Sequence, residues 1–358
     1  MDYDAALEVS VPTMSVRTHD SIRMRDIATE LGVSVITVSK ALRNQGRIST
    51  HMRERVLKRA KELNYRPDLT ARSLATGRTF LIGMVVPDLM HPFFAAIAKE
   101  LARNLRQKGY SLVISSADEE PALELQEVES MLARRIDALV LASSEHSRSG
   151  DIFRRLKQAD VPYLLLDRAV PGLKAHFVGS DDEAIGRLAA DHLIERGYKR
   201  VAHIGLAGLS TGKRRLDGCR DALRRAGRAI DESHVILVES GDERGEECGY
   251  AAMQNLLKLK PRPDAVFCYN DIIAAGAQKC VLEAKLSIPG DVAMVGVSNL
   301  AGICFWNSPH VALSTVDQDV AQLASEATAM ILDMQKPSKP TPPRKVLVPL
   351  KLVVRQST

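Results

Sequence analysis

The chain contains one tryptophan, five cysteines and no apolar run near the roughly 20 residues that a membrane-spanning helix needs. It opens Met1-Asp2-Tyr3-Asp4, with no basic start leading into an apolar core, which argues against a secretion signal. Cys219, Cys248, Cys268, Cys280 and Cys304 are odd in number, widely spaced and include no CxxC pair. They read as reduced thiols of a cytoplasmic protein, with neither a disulfide framework nor a zinc site expected. Nine histidines are scattered, and there is no Gly-rich phosphate loop after a strand, no nucleophile elbow and no His/Glu metal pattern. These absences weigh against an enzyme, and no cofactor or metal is expected. At 45% hydrophobic and 26% charged residues, the composition is that of an ordinary globular protein.

What is present is an uneven distribution of charge. Arg17 to Arg78 contain 14 Lys+Arg and 6 Asp+Glu, a surplus of 8 positive charges. The first 16 residues carry −3 and the whole chain +5, so residues 79–358 sum to zero. A basic segment beside a neutral remainder is what electrostatic attachment to phosphates requires.

Inside that basic segment, Met24 to Leu42 read MRDIATELGVSVITVSKAL. Ala28 is small where a second helix would cross the first. Gly32 supplies the left-handed residue that a tight turn needs. Val38, with Ile27, Leu31 and Val33, would lock the two helices, and Ser34 is placed to cap the second. The pattern predicts a helix-turn-helix whose second helix enters the DNA major groove; an ordinary helix pair is the alternative. A third helix is expected after a Ser49 or Thr50 cap, along Val56, Ala60 and Leu63, stopped by Asn64-Tyr65-Arg66-Pro67 because the residue before proline leaves the helical region. A short helix from Leu69 to Ala75 follows, flanked by Arg72 and Arg78. This succession resembles the DNA-binding head of the LacI/GalR family of bacterial regulators, down to the Asn-Tyr-x-Pro stop and the hinge helix.

From Thr79 on, short β runs alternate with helical stretches. Strands are expected at 80–87, 111–117, 137–143 and 162–167, then at 200–206, 234–240, 264–270 and 292–298, with helices between them. Such alternation implies right-handed crossovers and parallel sheets with helices on both faces. Two such halves resemble the periplasmic-binding-protein-like sensor of the same family. The expected organisation is a flexible leader (1–20), a helix-turn-helix domain (21–67), a hinge helix (68–78) and an effector-binding and dimerisation domain (79–358). The two subdomains would comprise 79–179 plus 309–340, and 180–308 plus 341–358. The resemblance extends through VVPDLMHPFF (85–94), STGKRRLDG (210–218), YNDIIAAGA (269–277) and the closing VPLKLVVRQST (348–358).

Ligands of open α/β sheets bind beyond the carboxyl ends of the strands. Asp167 ends an apolar run and can accept a hydroxyl proton, or simply form a turn. Arg215 is the arginine that the resemblance directs to the effector, and its guanidinium suits a carboxylate, phosphate or diol. Asn270 is expected to face ligand, with Asp271 capping the next helix. Phe93 and Phe94 can wall a cleft against a sugar face or serve as core. Trp306 can line the cleft or cement it. Where sugar-sensing relatives carry an aspartate, this chain has Ser298 in Gly296-Val297-Ser298-Asn299. Loss of that carboxylate, with Lys213, Arg214 and Arg215 across the cleft, favours an anionic effector such as a sugar acid or sugar phosphate.

For the head, the resemblance implies that Val35, Ile36 and Lys40 face base edges. Lys40 can donate to guanine, while Val35 and Ile36 can make only apolar contacts, for instance to thymine methyls. Ser34, Thr37, Ser39 and Arg47 would hold phosphates, and Arg72, at the hinge helix, is expected to contact DNA as well. Leu74 would wedge into the minor groove at the centre of a palindrome. The implied protein is a cytoplasmic, nucleoid-associated repressor that binds a palindromic operator as a homodimer under control of a small effector. A sugar- or nucleotide-processing enzyme with an accessory DNA-binding head is the alternative.

Overall fold

A computed structural model of the chain describes residues 22–42, 44, 46–66, 69–144, 150–239, 245–300, 311–336 and 342–358. The leader, Pro67, Cys304 and Trp306 lie outside them. The chain separates into two compact units, one ending at Arg78 and one from Thr79 to Thr358.

The first unit is helical: α1 (Met24–Leu31), α2 (Val35–Leu42), α3 (Thr50–Glu62) and α4 (Leu69–Thr76). Its boundaries are set by local chemistry. Gly32 adopts φ 66° and its N–H closes back onto the α1 carbonyls of Ala28 and Thr29. Ser34 Oγ accepts from the Thr37 N–H at 3.1 Å, and Ser49 Oγ accepts from the Met52 N–H at 3.2 Å, so both helices start on a hydroxyl cap. Helix α3 stops at Asn64, which turns left-handed at φ 51°. That turn comes three residues before Pro67, so Asn64 rather than the proline ends the helix. Ile27, Ala28, Val38, Ala41, Val56 and Ala60 form the small core where α1, α2 and α3 meet.

The second unit holds two six-stranded sheets, each covered by helices. The first has the order β11-β5-β4-β3-β1-β2, from Lys345–Leu347, His176–Gly179, Tyr163–Leu166, Ala138–Leu141, Leu81–Val86 and Ser111–Ser116. The second has the order β12-β10-β9-β8-β6-β7, from Lys351–Val353, Ser314–Asp317, Ala293–Val297, Ala265–Cys268, Val201–Leu206 and Val235–Val238. Every pairing is parallel except β10 with β12. The covering helices are α5 (Pro92–Gln107), α6 (Pro121–Ala133), α7 (Gly150–Gln158) and α12 (Val320–Met334) on the first sheet. On the second they are α8 (Asp182–Glu195), α9 (Ser210–Arg225), α10 (Gly245–Leu257) and α11 (Asp271–Glu283).

Four elements were not foreseen, β5, β10, β11 and α12, and β12 was anticipated only through the resemblance of the closing segment. Their placement also corrects the expected subdivision. Residues 309–340 do not all join the first half, because β10 pairs with β9 in the second sheet and only α12 returns to pack on α5. The closing segment is likewise shared, β11 pairing with β5 and β12 with β10. The backbone therefore passes between the halves three times: after β5, between β10 and α12, and between β11 and β12.

Helix α9 starts at Ser210, six residues earlier than its apolar pattern suggests, and it lies against α8 at backbone distance. A Cβ at Gly186 would collide with the Arg215 carbonyl, so only glycine permits this crossing. The crossing fixes where Arg215 stands.

Candidate functional site

The strands' carboxyl ends converge on a cleft between the two halves that encloses about 160 Å³. Phe93, Phe94, Asp167, Arg215, Asn270 and Ser298, the six residues singled out from sequence, all line it. His91, Glu119, Arg168, Tyr269 and Gln318 line it too and were missed.

Two arginines are held there by carboxylates. Arg215 is buried; its Nε donates to Asp182 at 3.0 Å, its Nη1 donates to the Tyr269 carbonyl at 2.7 Å, and its guanidinium lies 4.4 Å from the Tyr269 ring centre. Arg168 donates through Nη1 and Nη2 to the two Glu119 oxygens at 2.8 and 2.7 Å. Its Nε is buried without a partner among the described residues. Burial pushes the Asp182 carboxyl up to about 6, against the pull of Arg215. Asp167 is also raised by burial, with Arg215 and Arg168 opposing.

Gln318 ties the two halves together. Its Nε2 donates to Ser180 Oγ at 3.2 Å and to Asp167 Oδ1 at 3.4 Å, and its Oε1 accepts from Ser298 Oγ at 3.0 Å. Ser298 reaches it from a strained backbone, φ 102°.

Asn270 lines the cleft as expected, and it also takes the capping role expected of Asp271. Asn270 caps α11, its Oδ1 accepting from the Ile273 N–H at 2.8 Å, while also facing the cleft. Asp271 is buried and accepts from the Leu300 N–H and the Thr315 hydroxyl, both at 2.7 Å. A second correction concerns charge. Lys213 is exposed, Arg214 lies 3.6 Å from Glu183 and 3.8 Å from Asp181, and neither lines the cleft. The cluster of three cations invoked for an anionic effector does not form. The cleft's other cation is Arg168, and Glu119 neutralises it. Phe93 and Phe94 meet at 69° with ring centres 5.3 Å apart and form one wall.

On the head, Val35, Ile36, Lys40 and Arg47 are exposed on or just beyond α2, and Leu74 is 81% exposed on α4. The Ser34 and Thr37 hydroxyls are 2.9 Å apart. Ser39 and Arg72 are half-buried. Among the described residues no helix is long and apolar enough to cross a membrane, and no group of three His, Cys, Asp or Glu is placed to hold a metal.

A helix-turn-helix head on a two-sheet sensor with a ligand-sized cleft defines a DNA-binding regulator of transcription. Residues 23–68 match the bacterial regulatory proteins of the lacI family, and residues 79–356 match the periplasmic binding proteins and sugar binding domain of the LacI family. The chain belongs to the LacI family. It is 32% identical over 337 residues to the ribose operon repressor of Halalkalibacterium halodurans, covering 94% of this chain and 96% of that one. It is 30% identical over 336 residues to the transcriptional regulator DegA of Bacillus subtilis, covering 93% and 97%. Among solved structures, the regulator CelR bound to cellobiose superposes with TM-score 0.69 at 27% identity, over 94% of this chain and all (100%) of that one. The Lac repressor dimer bound to operator and the anti-inducer ONPF shares the fold, with TM-score 0.77 at 24% identity over 94% and 98%.

Proposed function

We propose that this regulator represses transcription in the cytoplasm by binding a palindromic operator as a homodimer, and that a small, uncharged, polyhydroxylated ring in the cleft controls that binding. The observation that carries the effector class is the balance of charge in the cleft. Arg168 and Arg215 are each already paired with a carboxylate, so an anion would find no surplus cation and would face Asp167. A sugar hydroxyl fits better, since it can donate to Asp167 and accept from the unpartnered Arg168 Nε. The Phe93–Phe94 wall offers an apolar face to the ring. A space of about 160 Å³ is close to the roughly 150 Å³ cavity that holds one six-membered ring, so a monosaccharide fits better than a larger ligand.

Dimerisation is supported by the sheet edges. Ile114 on β2 and Leu237 on β7 are 37% and 49% exposed, and both strands end their sheets. Such edges invite pairing unless another chain covers them. A twofold dimer presents two heads to two half-sites, which selects a palindrome. Within each head, Lys40 and the Val35–Ile36 pair would face base edges, with Ser34, Thr37, Ser39 and Arg47 on phosphates, Arg72 contacting DNA from the hinge helix and Leu74 in the minor groove.

The test is calorimetric titration of the full-length protein with neutral monosaccharides, sugar acids and sugar phosphates, alongside operator binding with and without each. The expected result is reversible binding of a neutral sugar, without turnover, that shifts operator affinity. Binding confined to anionic sugars, or consumption of the ligand, would overturn this reading.

A further inference from the structure

Helix α12 has a glutamine amide working at each end. Gln318, two residues before its start, holds Asp167, Ser180 and Ser298 at the cleft. Gln335, the residue that closes it, donates through Nε2 to the Asp137 carbonyl at 2.7 Å. The Asp137 carboxylate in turn accepts from the Thr79 N–H at 2.8 Å on one oxygen and from the Phe80 N–H at 2.9 Å on the other. Thr79 and Phe80 are the first residues of the second unit, and only Gly77 and Arg78 separate them from the end of α4. The 15 residues of α12 span about 22 Å, so one rigid element joins the cleft to the place where the chain enters the sensor.

This connection is able to slide. The buried flank of α12, Leu323, Ala324, Ala327, Met330 and Ile331, packs into the first lobe's core as hydrocarbon, and the buried Thr328 hydroxyl turns back onto Ala324 of the same helix. Such a flank resists separation, but hydrophobic contact is non-directional and permits a small shear along the axis. The far end is also strained. Phe80 stands at φ 59°, a left-handed conformation that a bulky residue seldom adopts. Strain of this kind persists where neighbours over-determine it, and it collects at switch regions. Here the Asp137 carboxylate fixes the Phe80 N–H, and Phe80 packs against the same core that α12 covers. We propose that α12 carries a change in the cleft toward the head by sliding along its axis, with Gln335 and Asp137 as positioning residues that pass the shift to Thr79 and Phe80. The proposal rests on the reading that the cleft controls operator binding. A ligand that takes Gln318 from Asp167 frees the near end, and the far end then alters the hold of Asp137 on the strained junction.

The experiment uses the full-length protein and an operator selected from a random duplex library, and it needs no effector. Gln318→Met keeps the side chain's length and removes its grip, standing in for a ligand that displaces it. Operator affinity should change roughly fivefold or more. In a Gln335→Met background, where the far end no longer holds Asp137, the same substitution should change it by less than about twofold. Gln335→Asn, one methylene shorter, should act as Gln335→Met does, which covers the case in which either variant fails to fold. Distant sites with no shared partner act independently, so loss of the Gln318 effect reports the element between them. Urea midpoints of the same proteins should simply add, because packing at one end of the helix does not depend on the other. An equal change in both backgrounds, no change from Gln318→Met in either, or midpoints that fail to add overturns the proposal. Failure to enrich any sequence overturns the operator-binding reading instead, so the two are told apart.

Discussion

His91 and Asn270, the residues that cap α5 and α11 on opposite sides of the cleft, meet at 3.3 Å between Nε2 and Nδ2. His91 Nδ1 also lies 3.4 Å from the Phe93 N–H. Burial, reinforced by Arg168, lowers the imidazole pKa to about 4, so the ring is neutral near pH 7. A neutral ring accepts at one nitrogen only, so the cap and the cross-cleft bond are alternatives chosen by the tautomer.

Two substitutions separate the cap from the cross-cleft contact. Asn270→Ala removes both and should lower stability by about 1 kcal/mol, the usual worth of an N-cap. Asn270→Asp keeps an oxygen for the Ile273 N–H but loses the amide that reaches His91. Its urea midpoint should stay near wild type while effector affinity falls. An equal loss of stability in both variants would contradict this division.

Restoring a carboxylate at the departure from the family pattern should deepen the preference for neutral rings. Ser298→Asp adds an acceptor beside Gln318, and a charge-assisted bond to a ring hydroxyl is worth roughly 1.5–3 kcal/mol. Calorimetry should show neutral sugars binding at least tenfold tighter, by the conversion of about 1.4 kcal/mol per decade. Unchanged affinity would mean that the side chain at 298 does not reach the ligand.

Gly186→Ala places a methyl against the Arg215 carbonyl. Overpacking of this kind costs roughly 1–3 kcal/mol. Because the displaced backbone carries Arg215, effector affinity should fall together with the thermal midpoint. A variant with normal affinity and lowered stability would separate the helix crossing from the site.

Asp271 sets a pH dependence with a definite sign. Burial raises its carboxyl from the ordinary 3.8 to about 6, although the Leu300 N–H and Thr315 hydroxyl favour the charged form. A carboxyl raised on folding stabilises the protein below its unfolded pKa and loses that contribution as pH rises through the folded value. The difference is worth roughly 3 kcal/mol. The stability of wild type relative to Asp271→Asn should therefore decline between pH 4 and pH 7. Urea midpoints at the two ends measure it, and a constant difference would place the group at an ordinary pKa.

The helix-turn-helix was legible because its determinants are local: Gly32, Ser34 and Ser49 each act on neighbours within three or four residues. Strand β10 was not. Its Ser314 and Thr315 are fully buried, yet no strand was expected there because a search for apolar runs cannot see hydroxyls satisfied from afar. Ser314 Oγ contacts Thr358 Oγ1 at 2.8 Å and Thr315 Oγ1 donates to Asp271 at 2.7 Å. Helix α12 did carry a visible signal, with Leu323, Ala324, Ala327, Met330 and Ile331 buried at helical spacing. The charge of the cleft misled for a geometric reason. Lys213, Arg214 and Arg215 lie within α9, where successive side chains point about 100° apart, so only one of the three can face inward. The Arg168–Glu119 pair spans 49 residues, and nothing local announces such a partner.

Three backbone passes between the halves make a particular kind of joint. A single strap would let one lobe swivel and slide. Three straps side by side leave essentially one free motion, a bend about the line they share. One of those straps also reaches the cleft: Gln318, on the second, lines it and grips Asp167 of one lobe and Ser298 of the other, and its amide also holds Ser180 of the first strap. An atom that displaces Gln318 from Asp167 thus acts on the pivot itself, with no intervening lever to dilute it. Under the proposed effector control, recognition and movement would share an axle.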